Sequence, residues 1–179
     1  MVAKIAVVYV DASVDTEKRL SGLAILGLIQ QKGGGKFHAT LSVPAGDSTL
    51  AEALAVKAAL ELVLIALGPR AKVTVVSDHQ SVVEQLRQKA RNRRPDLDEV
   101  LRAIARLQGL IEISFKHRKR LSSPEMAWVD KKARESLEWA RAGGPITEAP
   151  PRLERRIRRK RGLLAAFRQL VARVFGTKR

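Results

Sequence analysis

The chain has 179 residues, 34 Lys and Arg against 18 Asp and Glu, and no cysteine. That length admits one domain with a real core plus an appendage, and the missing thiols exclude a disulfide framework, a thiolate metal site and a cysteine nucleophile, as suits a reducing cytoplasm. The net charge of +16 points to a polyanionic partner, nucleic acid first and an anionic membrane surface second, while no apolar run is long enough to be a transmembrane segment.

The N-terminus shows no signal-peptide pattern and reads as a strand over Ala3–Val10, stopped by Asp11. A second strand, "LSGLAILGLIQ", and a third, "KFHATLSV", flank "QKGGGK", so a hairpin is predicted between them. "GDSTLAEALAVKAALELVLIALG" has a polar start suited to capping, apolar residues at helical spacing, and a Gly68-Pro69 stop. "AKVTVVSD" is a short β-branched run that again ends on an acid, Asp78. "SVVEQLRQKARN" and "DLDEVLRAIARLQG" read as helices, "LIEISFKH" as the last strand, and "SPEMAWVDKKARESLEWARAGG" as a closing helix ended by two glycines. The order β-β-β-α-β-α-α-β-α implies an α/β fold, a mixed sheet with helices packed on its faces.

Four acids stand out against these apolar elements: Asp11 after the first strand, Asp78 after the fourth, Glu52 in the first turn of the Ala- and Leu-rich helix, and Asp130 on the sheet side of the last helix. Taken singly, each has an ordinary role. Asp11 or Asp78 begins a turn, Glu52 favours the helix dipole, and Asp130 pairs with Lys131, Lys132 or a nearby Arg. Taken together, they suit hard divalent cations, which prefer oxygen ligands and can clamp a phosphodiester in pairs.

Their order resembles that of a type 1 ribonuclease H domain over residues 3–142. "VDAS" resembles the family's first-strand Asp motif, "STLAEALAV" its Glu-bearing helix, "VVSDHQSVV" its fourth-strand Asp segment, and "SPEMAWVDKKARES" its last Asp-bearing helix. The resemblance implies a five-stranded mixed sheet. It also implies two Mg²⁺ or Mn²⁺ ions held by Asp11, Glu52, Asp78 and Asp130, and endonucleolytic hydrolysis of the RNA strand of RNA–DNA hybrids. Selection for RNA would come from hydrogen bonds to the 2′-hydroxyl. Ser13, Ser48, Thr49 and Gln80 stand at or beside positions from which the family contacts substrate.

The sequence departs from the pattern in places. Ala12 replaces the common Gly after the first Asp, Ser48 and Thr49 replace two Asn, and Met126 replaces an Asn. Arg120 falls where the family often has a His that moves protons or helps product release, and His117 lies three residues earlier. These changes keep two rival readings open: a nucleic-acid-binding module of this fold with weak or no catalysis, on hybrid or double-stranded RNA, and a nuclease of the wider superfamily acting on DNA structures. The family's basic protrusion is absent, although "RQKARNRR" supplies a compact basic cluster.

Residues 143–151 are rich in Gly and Pro and read as a linker, dividing a domain over 1–142 from a basic tail over 152–179. Residues 147–179 hold 11 Lys and Arg against 2 Asp and Glu. Leu153, Ile157, Leu164, Phe167, Val171 and Val174 recur at helical spacing, so the tail reads as a basic amphipathic helix suited to nucleic acid, an anionic lipid surface or a protein face.

Overall fold

The structure, a computed structural model, describes residues 4–31, 34–88 and 94–146. The tail, most of the linker and most of the "RQKARNRR" cluster lie outside the described residues. The elements are β1 (Ile5–Asp15), β2 (Leu20–Ile29), β3 (Lys36–Val43), α1 (Ser48–Leu67), β4 (Lys72–Ser77), α2 (Gln80–Gln88), α3 (Pro95–Leu107), β5 (Glu112–His117) and α4 (Pro124–Arg141). They form one five-stranded sheet in the order β3-β2-β1-β4-β5. β1, β2 and β3 pair antiparallel, as the hairpin reading requires, whereas β4 joins β1 and β5 in parallel.

The alternation of side chains across β1 divides the core. Ala6, Val8 and Val10 face the layer of α1, α2 and α3, where they pack with residues such as Leu60, Val63, Leu97 and Ile104. Val7 and Tyr9 point to the opposite face and pack under Met126, Val129 and Ala133 of α4. Full burial of one such aliphatic side chain contributes about 1.5–3 kcal/mol. Helix α1 carries Ala, Leu and Val on nearly every side, and after Ser48 none of its residues is exposed.

Two details place α4. A Cβ on Gly22 of β2 would lie 2.1 Å from the Ala133 carbonyl oxygen and 2.4 Å from the Leu137 nitrogen, so the glycine lets the helix backbone rest directly on the strand. Ser136 donates from Oγ to the Leu41 carbonyl at 2.9 Å, and Ser42 donates to the Ser136 carbonyl at 3.0 Å, which ties α4 to β3. At the far end Arg141, the last residue of α4, donates to Asp15, the last of β1, at 2.6 Å.

One element differs from its sequence reading. β1 does not stop at Asp11 but runs on to Asp15, because β2 supplies partners from Ala24 down to Leu20. Its partner β4 ends earlier, the last aligned pair being Tyr9 and Val76. The sheet therefore forks beyond Tyr9: β1 continues with β2 while β4 leaves it. Among the described residues no helix is long and apolar enough to cross a membrane.

Candidate active site

The fork holds the acids. It lies at the carboxyl ends of the parallel strands β1 and β4, where open α/β sheets generally place their crevices. Asp11 sits on β1 just past the divergence, Asp78 follows the end of β4, and Glu52 reaches in from α1. One carboxylate oxygen from each of the three lies within 4.8 Å of the others. Asp11 is 2% and Glu52 3% exposed. Burying several carboxylates side by side is costly unless cations or protons compensate.

Glu52 is the fifth residue of α1, whose cap is Asp47 accepting from the Leu50 N–H at 2.8 Å. It thus lies in the second turn, one turn deeper than the first-turn reading placed it. There Glu52 Oε1 accepts from the Ala12 N–H at 2.9 Å, beyond the last aligned β1–β4 pair. Glu52 Oε2 accepts from the Ser77 hydroxyl at 3.2 Å, and Ser77 Oγ accepts from the His79 N–H at 3.0 Å. Ser77, at the end of β4, is a supporting residue that sequence reading missed, although it stands beside the acid in "VVSD".

Asp11 differs from Glu52 in having an oxygen to spare: its Oδ2 is buried and has no hydrogen-bond partner. Burial first, then the fields of Asp78 and Asp130, push the Asp11 carboxyl up to about 7, against the opposing pull of Arg120. Burial, reinforced by Asp11 and Asp78, likewise holds the Glu52 carboxyl well above the usual carboxylate range. These groups are short of positive charge.

Asp130, 5% exposed on α4, faces the same region yet stands outside the three-acid cluster. Arginines occupy its oxygens. Arg120 donates from Nε to Asp130 Oδ1 at 2.6 Å, and Arg134 Nη2 lies 3.1 Å from both Oδ1 and Oδ2. The Arg120 Nε is also 3.9 Å from Asp78 Oδ2.

The remaining candidates lie at varied depth. His117 Nε2 lies 3.1 Å from the Asp78 carbonyl oxygen, so the last strand contacts the backbone at the site. Ser13 and Thr49 are half-buried, Ser48 is exposed, and exposed Gln80 donates to Glu84 at 2.6 Å. His79 Nδ1 lies 3.0 Å from Ser81 Oγ, and His38 stacks edge-on against Trp128.

Comparison with known proteins agrees with this geometry. Residues 9–127 match the family model described as reverse transcriptase-like. The fold is similar to the N-terminal RNase H domain of a Mycobacterium tuberculosis protein, solved as a fusion with maltose-binding protein. The two are 16% identical, with a TM-score of 0.65 over 78% of this chain and 97% of that one. It is also similar to LC9-RNase H1, described as a type 1 RNase H with the type 2 active-site motif, at 13% identity and a TM-score of 0.65 over 93% of this chain and 86% of that one. LC11-RNase H1, solved in complex with an RNA/DNA hybrid, is 18% identical, with a TM-score of 0.60 over 75% of this chain and 98% of that one. No curated protein sequence matches the chain. With two thirds of its length inside the family model and its sheet order and helices those of these neighbours, the chain belongs to the reverse transcriptase-like family and has the type 1 ribonuclease H fold.

Proposed function

We propose that the protein is a metal-dependent endonuclease that hydrolyses the RNA strand of RNA–DNA hybrids. The observation that carries this reading is the buried, unpartnered Asp11 Oδ2 within a group of three carboxylates whose oxygens lie within 4.8 Å. An all-oxygen donor set of this kind fits Mg²⁺ or Mn²⁺, with Asp11, Glu52 and Asp78 as ligands and Asp130 as the fourth. Bound there, a pair of divalent ions supplies an ionised water and Lewis-acid stabilisation of phosphate charge. The described domain's structural neighbour in complex with an RNA/DNA hybrid supports the substrate class.

The chain's own residues prepare the site. The Ala12 N–H and the Ser77 hydroxyl fix both oxygens of Glu52, so its rotamer is set before any cation arrives. Asp11 and Asp78 approach from two strands that have already parted, leaving room between them. Ser13, Ser48, Thr49, Gln80 and His117 are assigned to hydrogen-bonding the hybrid near the cleaved phosphodiester, and the basic tail to phosphate contacts elsewhere on it. Incubating labelled hybrid, double-stranded RNA and branched DNA with the full chain and Mn²⁺ or Mg²⁺ tests the reading. Cleavage confined to the RNA of the hybrid, and lost in Asp78→Asn, is expected. No cleavage of hybrid, or undiminished cleavage by that variant, overturns it.

A binding module with little catalysis is the second reading. It is favoured by the arginines that fill the oxygens of Asp130. Tight hybrid binding without turnover in either metal would select it.

A further inference from the structure

The four acids are not equivalent. Asp11 presents a bare buried oxygen, whereas Asp130 is satisfied on both oxygens by guanidinium groups. Arg134 reaches Asp130 from one turn along the same helix, an arrangement internal to α4. Arg120 is different, because it comes from the segment between β5 and α4 and faces more than one acid. Its Nε touches Asp130 Oδ1 at 2.6 Å and stands 3.9 Å from Asp78 Oδ2, and its charge also acts on Asp11.

The segment is shaped to deliver it. Leu121, directly after Arg120, adopts φ 57°, a left-handed conformation that is unfavourable for a non-glycine residue. Ser122 N–H donates to the Lys119 carbonyl at 3.1 Å, closing a tight turn around the arginine. Arg120 itself is about half exposed and can leave for solvent without disturbing the core.

A guanidinium and a divalent cation compete for the same lone pairs. Within a few ångströms of each other, in a partly buried site, the two repel strongly. We propose that Arg120 is a resident cation of the carboxylate site: it holds the Asp130 side, so that the chain takes one divalent ion at Asp11, Glu52 and Asp78 and a second only by displacing Arg120. The inference rests on the reading of the acids as a metal site and deepens it, assigning an order to the two ions. Once displaced, Arg120 is free to meet a phosphate of the substrate.

Counting Mn²⁺ bound to the full chain, by calorimetric titration and by the loss of the free-ion electron paramagnetic signal, tests the proposal without reference to activity. The wild type is expected to bind in two steps with well-separated constants. In Arg120→Ala the weaker constant should tighten by about tenfold or more and the tighter one by clearly less. Arg120→Lys, which keeps a point charge but not the fork, should fall between them. Thermal melting of each variant in chelator establishes that it is folded.

An unchanged or weakened second constant in Arg120→Ala overturns the proposal and leaves the metal site standing. Failure of the wild type to bind Mn²⁺, or binding undiminished in Asp11→Asn, removes the metal site and the proposal with it.

Discussion

Glu52 and Ala12 are joined by a hydrogen bond of 2.9 Å between a helix side chain and the main chain of a central strand. The bond occupies a strand N–H past the point where the parallel ladder stops, so a catalytic candidate does part of the work of a missing strand. Replacing Glu52 by Gln keeps a carbonyl oxygen for the Ala12 N–H and removes a buried charge. The metal-free variant should therefore be as stable as the wild type or more so by about 1–2 kcal/mol, while hybrid cleavage falls by about a hundredfold or more. Urea unfolding in chelator and a cleavage assay check the two halves separately.

The raised Asp11 carboxyl makes metal-free stability depend on pH. Its value is about 7 in the folded protein against 3.8 for a free carboxyl, so between those limits the native state holds more protons than the unfolded chain. Stability present below about pH 4 is then lost as pH rises through 7, by up to roughly 4 kcal/mol, and Glu52 acts in the same direction. Unfolding midpoints in chelator should drop between pH 5 and pH 8, and the drop should shrink in Asp11→Asn. Equal midpoints in the wild type would refute it.

Divalent metal should reverse that trend. The carboxylates must be ionised to bind it, so affinity grows with pH as the protons leave. At a hundred times its dissociation constant, Mn²⁺ adds about 2.7 kcal/mol, read as a rise in melting temperature at pH 8 that is small or absent at pH 5.

Gly22→Ala tests how α4 is seated. The added methyl would collide with the backbone of Ala133 and Leu137, which cannot move aside as a flexible side chain would. A loss of about 1–3 kcal/mol is expected, seen as a lower urea midpoint at unchanged slope.

Ser77→Ala leaves Glu52 Oε2 and the His79 N–H without their shared partner. The expected cost is about 1–3 kcal/mol, together with weaker Mn²⁺ binding because one oxygen of Glu52 is no longer steered. Ser77→Thr, which retains the hydroxyl, should recover the binding more than Ala does.

Much of this was legible in the sequence because local patterns carry it. β3 occupies the very residues of "KFHATLSV", and the nine elements occur in the order read. The continuation of β1 past Asp11 is hidden in the sequence, where an acid after an apolar run reads as a stop. Yet Ala12 and Val14 pack on the α1 face while Asp11 and Asp15 turn away, an alternation that belongs to a strand. The grouping of Asp11, Glu52 and Asp78 came from the family's order of motifs. Spacing alone holds no information about a distance closed by three separate elements. In the sequence Arg120 reads as a replacement for a histidine, whereas its grip on Asp130 joins a loop to a helix ten positions away. No periodicity announces such a pair.

The clasp between Asp15 and Arg141 bears on everything that follows α4 in the chain. It ties together the last residues of the two elements that carry Asp11 and Asp130, so both are moored at their ends. A pull on the chain beyond Arg141 would be met first by this mooring and by the Ser42–Ser136 tie. A load on that chain would reach the elements bearing Asp11 and Asp130 only after both ties had given way.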